Sequence, residues 1–222
     1  MSKQSPTKEK SCKVSSSKPF TPRGYLSWSQ LNMWEKDPNL YYQVYWEGLD
    51  QFRSKFLELG KRMADGLENG FDCERDPMFE HLIMYLPSYP KKEFDLKADY
   101  AGIPLVGKLD GWNEATMTIG EYKTGKKWTQ SMANQHGQLK FYALLVWLKY
   151  HKLPEHIFLH WAETAEDLEG NLKLTGGGDT FEVKIKLSDI IVFAEKRIKP
   201  AWEGICKMGE FVKDEKQHNV QR

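Results

Sequence analysis

The chain has 222 residues, 40% of them hydrophobic, which is enough to bury one substantial core. Its formal net charge of +1 excludes a protein that attracts nucleic acid over its whole surface, so attraction for phosphate must come from local groups of lysines. No apolar run reaches the length of about 18 residues that a transmembrane helix needs, so no membrane association is predicted. Three scattered cysteines argue against a disulfide framework and favour a reducing cytoplasm.

The amino-terminal part predicts an irregular arm followed by two helices. Residues 1–23 are rich in Ser, Lys and Pro and lack the apolar segment of a signal peptide, so a disordered basic arm is expected. Ser27 begins a capping pattern for a first helix that ends near Pro38. A long second helix is predicted from about Tyr42 to Glu68, ended by Gly70.

The middle of the chain predicts a short helix and then three strands. The helix begins at Asp76 and stops before Pro87. Alternating apolar residues over 94–100 predict a strand. Residues 103–110 and 116–123 predict two further strands, joined by a short turn region as a hairpin.

The next segment predicts a helix, a central strand and a hairpin. The helix runs from Gln138 to about Tyr150, and the largely apolar residues 156–162 predict a strand inside the sheet. The glycine-rich residues 176–179 predict a turn before a strand at 181–186. These glycines are not a phosphate-binding loop, because no G-x-x-x-x-G-K-[ST] pattern follows a strand.

The carboxyl-terminal part predicts one more helix, capped by Ser188 and ending near Met208, and a charged flexible tail over 210–222. Together the elements predict one α/β domain over residues 24–209, with a central mixed β-sheet flanked by helices.

Three charged residues in the predicted hairpin are the candidate catalytic group. Asp110 ends one strand, and Glu121 and Lys123 lie two apart on the next, so all three can meet on one sheet face. Carboxylates hold Mg²⁺ or Mn²⁺, and a lysine offsets the negative charge that develops when a phosphodiester is hydrolysed. Such residues near strand ends are, however, most often solvated surface groups. Gln138 and Tyr142 share one face of the following helix and can project toward the same phosphate, although an amphipathic helix with a tyrosine at its edge gives the same pattern.

In this order, Asp110, Glu121-x-Lys123 and Gln138-x-x-x-Tyr142 resemble the PD-(D/E)XK nuclease superfamily, in particular its RecB-like exonuclease branch. The opening helix from Ser27 and the acidic helix at 58–68 extend the resemblance.

The resemblance implies a restriction-endonuclease-like core and a Mg²⁺-dependent DNA exonuclease of recombination, repair or phage DNA metabolism. Asp110 and Glu121 would hold the metal with the backbone carbonyl of Tyr122, and Lys123 would stabilise charge or orient water. Gln138 and Tyr142 would position the DNA. A helicase or a single-strand annealing protein is an implied partner, although no residue identifies one.

Local lysines supply the predicted attraction for DNA, chiefly Lys126 and Lys127 beside the candidate site. Relatives often carry a metal-binding histidine where this chain has Ala64. Glu68 is the candidate replacement, one helical turn further on. Asp65 points away from the apolar stripe predicted on the same helix, which consists of Leu49, Phe52, Phe56, Leu59, Met63 and Leu67.

Two alternatives stay open. One is a structure-specific or restriction-type endonuclease on the same fold, and the other is a catalytically silent nucleic-acid-binding module. An iron–sulfur cluster is not expected, because Cys12, Cys73 and Cys206 lack ligand spacing and Asp37 stands where related proteins often have cysteine.

Overall fold

The computed structural model describes residues 20–50, 55–70 and 86–220. The strands are β1 (Leu26–Ser27), β2 (Lys91–Tyr100), β3 (Ile103–Asn113), β4 (Thr118–Gly125), β5 (His156–Glu166) and β6 (Leu172–Glu182). The helices are α1 (Trp28–Lys36), α2 (Pro38–Tyr45), α3 (Lys55–Asn69), α4 (Gln130–Gln135), α5 (Gly137–Tyr150), α6 (Leu187–Phe193) and α7 (Lys199–Val220). A π-helical segment (Ala194–Ile198) joins α6 to α7.

The strands form one six-stranded mixed sheet flanked by helices, which confirms the predicted fold class. The path runs β1-β3-β4-β5-β6, and β2 pairs with β3 as well. The pairs β2–β3, β3–β4 and β5–β6 are antiparallel, whereas β1–β3 and β4–β5 are parallel. The parallel pairing places α4 and α5 between β4 and β5, as a crossover connection requires.

Helix α5 is the centre of the core. Its residues from Phe141 to Val146 are all buried, so the helix is apolar around most of its circumference, as expected for an element covered on several sides. It packs closely on β3 at Gly107, where a Cβ atom would overlap the side chain of Leu145. This contact fixes the middle of α5 against the strand that carries Asp110.

The predicted first helix is confirmed, but the predicted long second helix is wrong. Ser27 caps α1 by accepting a hydrogen bond from the backbone N–H of Gln30. Asp37 then caps α2 through hydrogen bonds from two backbone N–H groups. Helix α2 ends at Tyr45 and residues 46–50 are not helical, so the apolar pattern belongs to two helices, α2 and α3.

The expected apolar stripe on the second helix is correspondingly incomplete. Leu59 and Met63 are buried, but Leu49 and Phe56 are exposed. Phe52, which was expected in the same stripe, lies outside the described residues, as does the helix predicted from Asp76 to Pro87.

The predicted turn at residues 176–179 is wrong, because these residues belong to β6. Gly178 and Asp179 pair with β5, and Gly176 and Gly177 lie at an irregularity in the register of the two strands. Here glycine permits close approach of two strands: a Cβ atom on Gly178 would lie 2.7 Å from the backbone oxygen of Trp161. The strand ends at Glu182 and does not continue to Lys186. The turn of this hairpin lies instead at 167–171, where Asp167 accepts two backbone hydrogen bonds.

The predicted end of the chain also needs correction. Lys186, and not Ser188, stands at the N-cap of α6, and Asp189 accepts a hydrogen bond from the Lys186 backbone N–H. Helix α7 continues beyond Met208 to Val220, so most of the segment expected as a flexible tail is helical. Among the described residues, no helix is long and apolar enough to cross a membrane.

Candidate active site

The candidate site lies where β3 and β4 separate. The two strands pair only from Gly111 to Asn113 on β3, and beyond this point side chains replace the backbone partners. Asp110 Oδ2 accepts a hydrogen bond from the backbone N–H of Tyr122 at 2.9 Å. On the same stretch of β3, the Tyr142 hydroxyl donates to the backbone carbonyl of Lys108 at 2.6 Å. The separation makes room for side chains between the strands.

A chain of hydrogen bonds links β4 to α5. The Lys123 ammonium group donates to Glu121 Oε1 at 2.5 Å and to Gln138 Oε1 at 3.0 Å. Gln138 Nε2 donates in turn to the Tyr142 hydroxyl at 2.8 Å. The predicted grouping of these side chains with Asp110 is therefore present in the structure. Tyr142 is buried with its hydroxyl already engaged, so its role in this geometry is to hold Gln138.

Burial dominates the electrostatics of the two carboxylates. It raises the pKa of Glu121 to about 8, and the nearby charge of Asp110 adds to the effect. Burial likewise raises the pKa of Asp110, opposed by the hydrogen bond from Tyr122. Burial alone would lower the pKa of Lys123, but the charge and hydrogen bond of Glu121 outweigh it and the pKa rises. The site thus holds a charged lysine beside two carboxyl groups that compete for ionisation.

A buried carboxyl oxygen of Glu121 indicates that the site can bind a cation. Glu121 is only 1% exposed, its Oε2 atom receives no hydrogen bond from a nitrogen or hydroxyl donor among the described residues, and the side chain lies instead against the carboxyl group of Asp110. An unpaired carboxylate oxygen in an apolar environment is costly, so such an atom is expected to meet a ligand. A hard divalent cation between Asp110 and Glu121 would meet it, because carboxylate oxygen is the preferred ligand of Mg²⁺. The residues present therefore fit the metal that the sequence implies.

The site opens into a cavity of about 320 Å³ between α3, β2 and β4. Asp110, Glu121, Lys123 and Gln138 all line it, and Glu68 lines it from α3. Within the described part of the chain, no three Asp, Glu, His or Cys side chains converge closely enough to form a full ligand set. Mg²⁺ commonly uses one or two carboxylates and keeps several waters, so two close carboxylates suffice.

The other acidic and basic residues near the site differ in whether they line this cavity. Lys126 and Lys127 are exposed just after β4 and do not line it. Asp65 does not line it either, whereas Glu93 does, although sequence reasoning missed Glu93. Trp112 is fully buried against Tyr150 and belongs to the core.

A second cavity of about 590 Å³ meets the first at Lys123 and Gln138. Trp28 and Trp128 line it on either side of His136, with ring centroids 6.0 and 5.2 Å from the imidazole. Burial lowers the pKa of His136 to about 4, so its ring is neutral at physiological pH.

Comparisons with known proteins support the fold. No family model matches the chain, and no curated protein matches it in sequence. A solved structure named "Putative exonuclease", from Eubacterium rectale, is similar over 90% of this chain and 88% of its own, with a TM-score of 0.57 and 12% identity. A phage-related exonuclease from Haemophilus somnus 129PT is similar over 77% of this chain and 79% of its own, with a TM-score of 0.46 and 13% identity. The first similarity establishes a shared fold.

Proposed function

We propose that this protein is a metal-dependent deoxyribonuclease that removes nucleotides from DNA ends. The observation that carries the proposal is the buried Oε2 atom of Glu121, which receives no hydrogen bond and belongs to a side chain that lines one cavity with Asp110 and Lys123. The fold shared with the Eubacterium rectale structure, which is named as an exonuclease, supports an exonuclease function.

The metal ligands would be Asp110, Glu121 and the backbone carbonyl of Tyr122. When bound, Mg²⁺ or Mn²⁺ would polarise the phosphate and activate a water molecule. Asp110 is held in place by the Tyr122 N–H, and Glu121 by the Lys123 ammonium group. Both carboxylates are therefore positioned by the sheet before a metal arrives, which is the preorganisation that such a site needs.

Lys123 would stabilise the negative charge that develops on the phosphate. Its side chain is a quarter exposed, so it is available to the substrate while two acceptors orient its ammonium group. Gln138 would position the DNA strand with the support of Tyr142, and the exposed Lys126 and Lys127 would contact phosphates further from the site. The second cavity would receive the neighbouring nucleotide, because aromatic rings and a lysine line it.

The test is cleavage of linear and closed circular DNA with and without Mg²⁺. An exonuclease cuts only the linear form and only with metal. Lys123→Ala should reduce the rate by about 10²-fold or more, as expected when a group that stabilises charge in the transition state is lost. Lys152→Ala is a matched control, because Lys152 pairs with Glu155 at an exposed position. Its rate should equal that of the wild type.

Other outcomes identify the alternatives. Nicking of closed circles would favour the endonuclease, and DNA binding without any cleavage would favour the silent module. Cleavage at the wild-type rate by Lys123→Ala would refute the assigned site.

A further inference from the structure

Three carboxylates lie side by side on three neighbouring strands. In the β2–β3 register, Lys92 pairs with Gly111 and Phe94 with Leu109, so Glu93 stands directly opposite Asp110. On the other side of β3, Gly111 pairs with Gly120, and the next position along places Glu121 beside Asp110. Like charges directly across a sheet destabilise it, so this row of acids requires positive charge nearby.

Lysines pair with the two outer carboxylates. The Lys108 ammonium group lies 2.5 Å from Glu93, and Lys123 binds Glu121. Asp110, in the middle, has a hydrogen bond from the Tyr122 backbone. The Glu93 charge also acts to raise the pKa of Asp110, after the larger effect of burial, so the two carboxylates interact.

The backbone of Glu93 directs its side chain toward the site. Its φ angle is 48° although it lies within β2, a conformation that non-glycine residues adopt only at a cost. The side chain lines the same cavity as Asp110, Glu121 and Glu68 and is 19% exposed. Lys108, by contrast, is 55% exposed, so it can leave Glu93 for solvent at little cost.

We infer that Glu93 is a further carboxylate of the metal site, which exchanges Lys108 for the divalent cation that Asp110 and Glu121 would hold. The buried Oε2 atom of Glu121, which receives no hydrogen bond, is the independent sign that this row of acids receives a cation. The inference rests on the proposed function and adds a ligand to it. Without metal, the Lys108 ammonium group supplies the positive charge beside Glu93.

Calorimetric titration with Mn²⁺, without DNA, tests this assignment independently of cleavage. Glu93→Gln should weaken Mn²⁺ binding by at least about 10-fold, as is typical when a group that supports a metal site is lost. Glu114→Gln is a matched control, because Glu114 also pairs with a lysine of β2, Lys91, but lies outside the cavity. Its Mn²⁺ affinity should equal that of the wild type.

Lys108→Gln should change Mn²⁺ affinity in the direction opposite to Glu93→Gln. Removal of the competing cation should tighten Mn²⁺ binding beyond the effect of Lys92→Gln, which removes the same charge from the lining of the cavity without freeing Glu93. If the Lys108–Glu93 pair is only structural, both of its variants will alter stability in urea and leave Mn²⁺ affinity at the control values. That result would overturn the inference.

Asp110→Asn separates this inference from the proposed function. Loss of Mn²⁺ binding in Asp110→Asn, with wild-type affinity in Glu93→Gln, would refute only the role of Glu93. Absence of Mn²⁺ binding by the wild type, or wild-type affinity in Asp110→Asn, would refute the proposed metal site itself and the role of Glu93 with it.

Discussion

Replacing Glu121 with glutamine should stabilise the metal-free protein at neutral and alkaline pH. Glutamine keeps the shape of the side chain and the oxygen that accepts from Lys123. It removes the acid whose ionisation is opposed by burial and by the charge of Asp110. The expected gain in stability is a test of the electrostatics on which the site assignment depends.

The magnitude follows from the pKa of Glu121. A pKa raised from 4.5 to about 8 corresponds to about 5 kcal/mol, at about 1.4 kcal/mol for each unit of pKa. Below pH 4.5 both the folded and the unfolded chain carry the proton, so stability is greatest there with respect to this group. As the pH rises toward 8, the unfolded chain loses the proton first and the free energy of unfolding falls. Between pH 5 and 8 the loss from this residue is about 4 kcal/mol.

The assay is urea unfolding in the presence of a chelator at several pH values from 5 to 8. The wild type should lose stability over this range by about 4 kcal/mol more than Glu121→Gln. Glu114→Gln, a change at an exposed carboxylate, should keep the wild-type slope. If the free energy of unfolding falls equally with pH in the wild type and in Glu121→Gln, the conclusion that the buried Glu121 carboxyl group retains its proton is refuted.

Three further predictions concern other parts of the site. Gln138→Ala should reduce turnover without changing Mn²⁺ affinity in calorimetry, because Gln138 reaches the metal ligands only through a lysine. Glu68→Ala should raise the Mg²⁺ concentration needed for cleavage, whereas Asp65→Ala should not, since only Glu68 lines the cavity. Gly120→Ala should lower the free energy of unfolding in urea by about 1–3 kcal/mol, because its Cβ would overlap the ring of Tyr89.

Each of these predictions has a result that contradicts it. Wild-type turnover of Gln138→Ala at limiting DNA removes that residue from the site. If the Glu68 and Asp65 variants need equal Mg²⁺ concentrations for cleavage, Glu68 is excluded as a metal ligand. Wild-type stability of Gly120→Ala would mean that the aromatic ring beneath β4 is free to move aside.

The central group of the site could be predicted because it depends on local geometry. Asp110, Glu121 and Lys123 lie within one hairpin, so strand periodicity and the nearby turn were enough to bring them together. The position of Glu68 on the cavity also followed from helical geometry within α3. The end of α2 was missed although a local signal marks it. Gly48, with a φ angle of 76°, lies just after the helix and is a typical helix-ending residue, but the apolar pattern continues from α2 into α3 and hides this break.

Glu93 was missed although the sequence carries a signal for it. The turn at Ala101-Gly102, with φ angles of 52° and 84°, is a tight two-residue connection that fixes the register of β2 on β3. Counting back from the Tyr100–Ile103 pair places Glu93 opposite Asp110. The interpretation failed because the predicted strand began at Phe94, where apolar alternation starts, and charged residues earlier in β2 do not show that pattern.

The separation of β3 from β4 means that mutation of the two proposed metal ligands, Asp110 and Glu121, has unequal effects on folding. Asp110 completes the sheet by accepting the Tyr122 N–H, and its loss would leave that donor unsatisfied at a cost of about 1–3 kcal/mol. Glu121 instead destabilises the metal-free fold, because burial and the charge of Asp110 oppose its ionisation. In a lineage released from selection for activity, Glu121 should therefore be replaced early, while an acid or amide persists at position 110. A related protein that keeps Asp110 but has lost the acid at position 121 would therefore be expected to fold without binding metal.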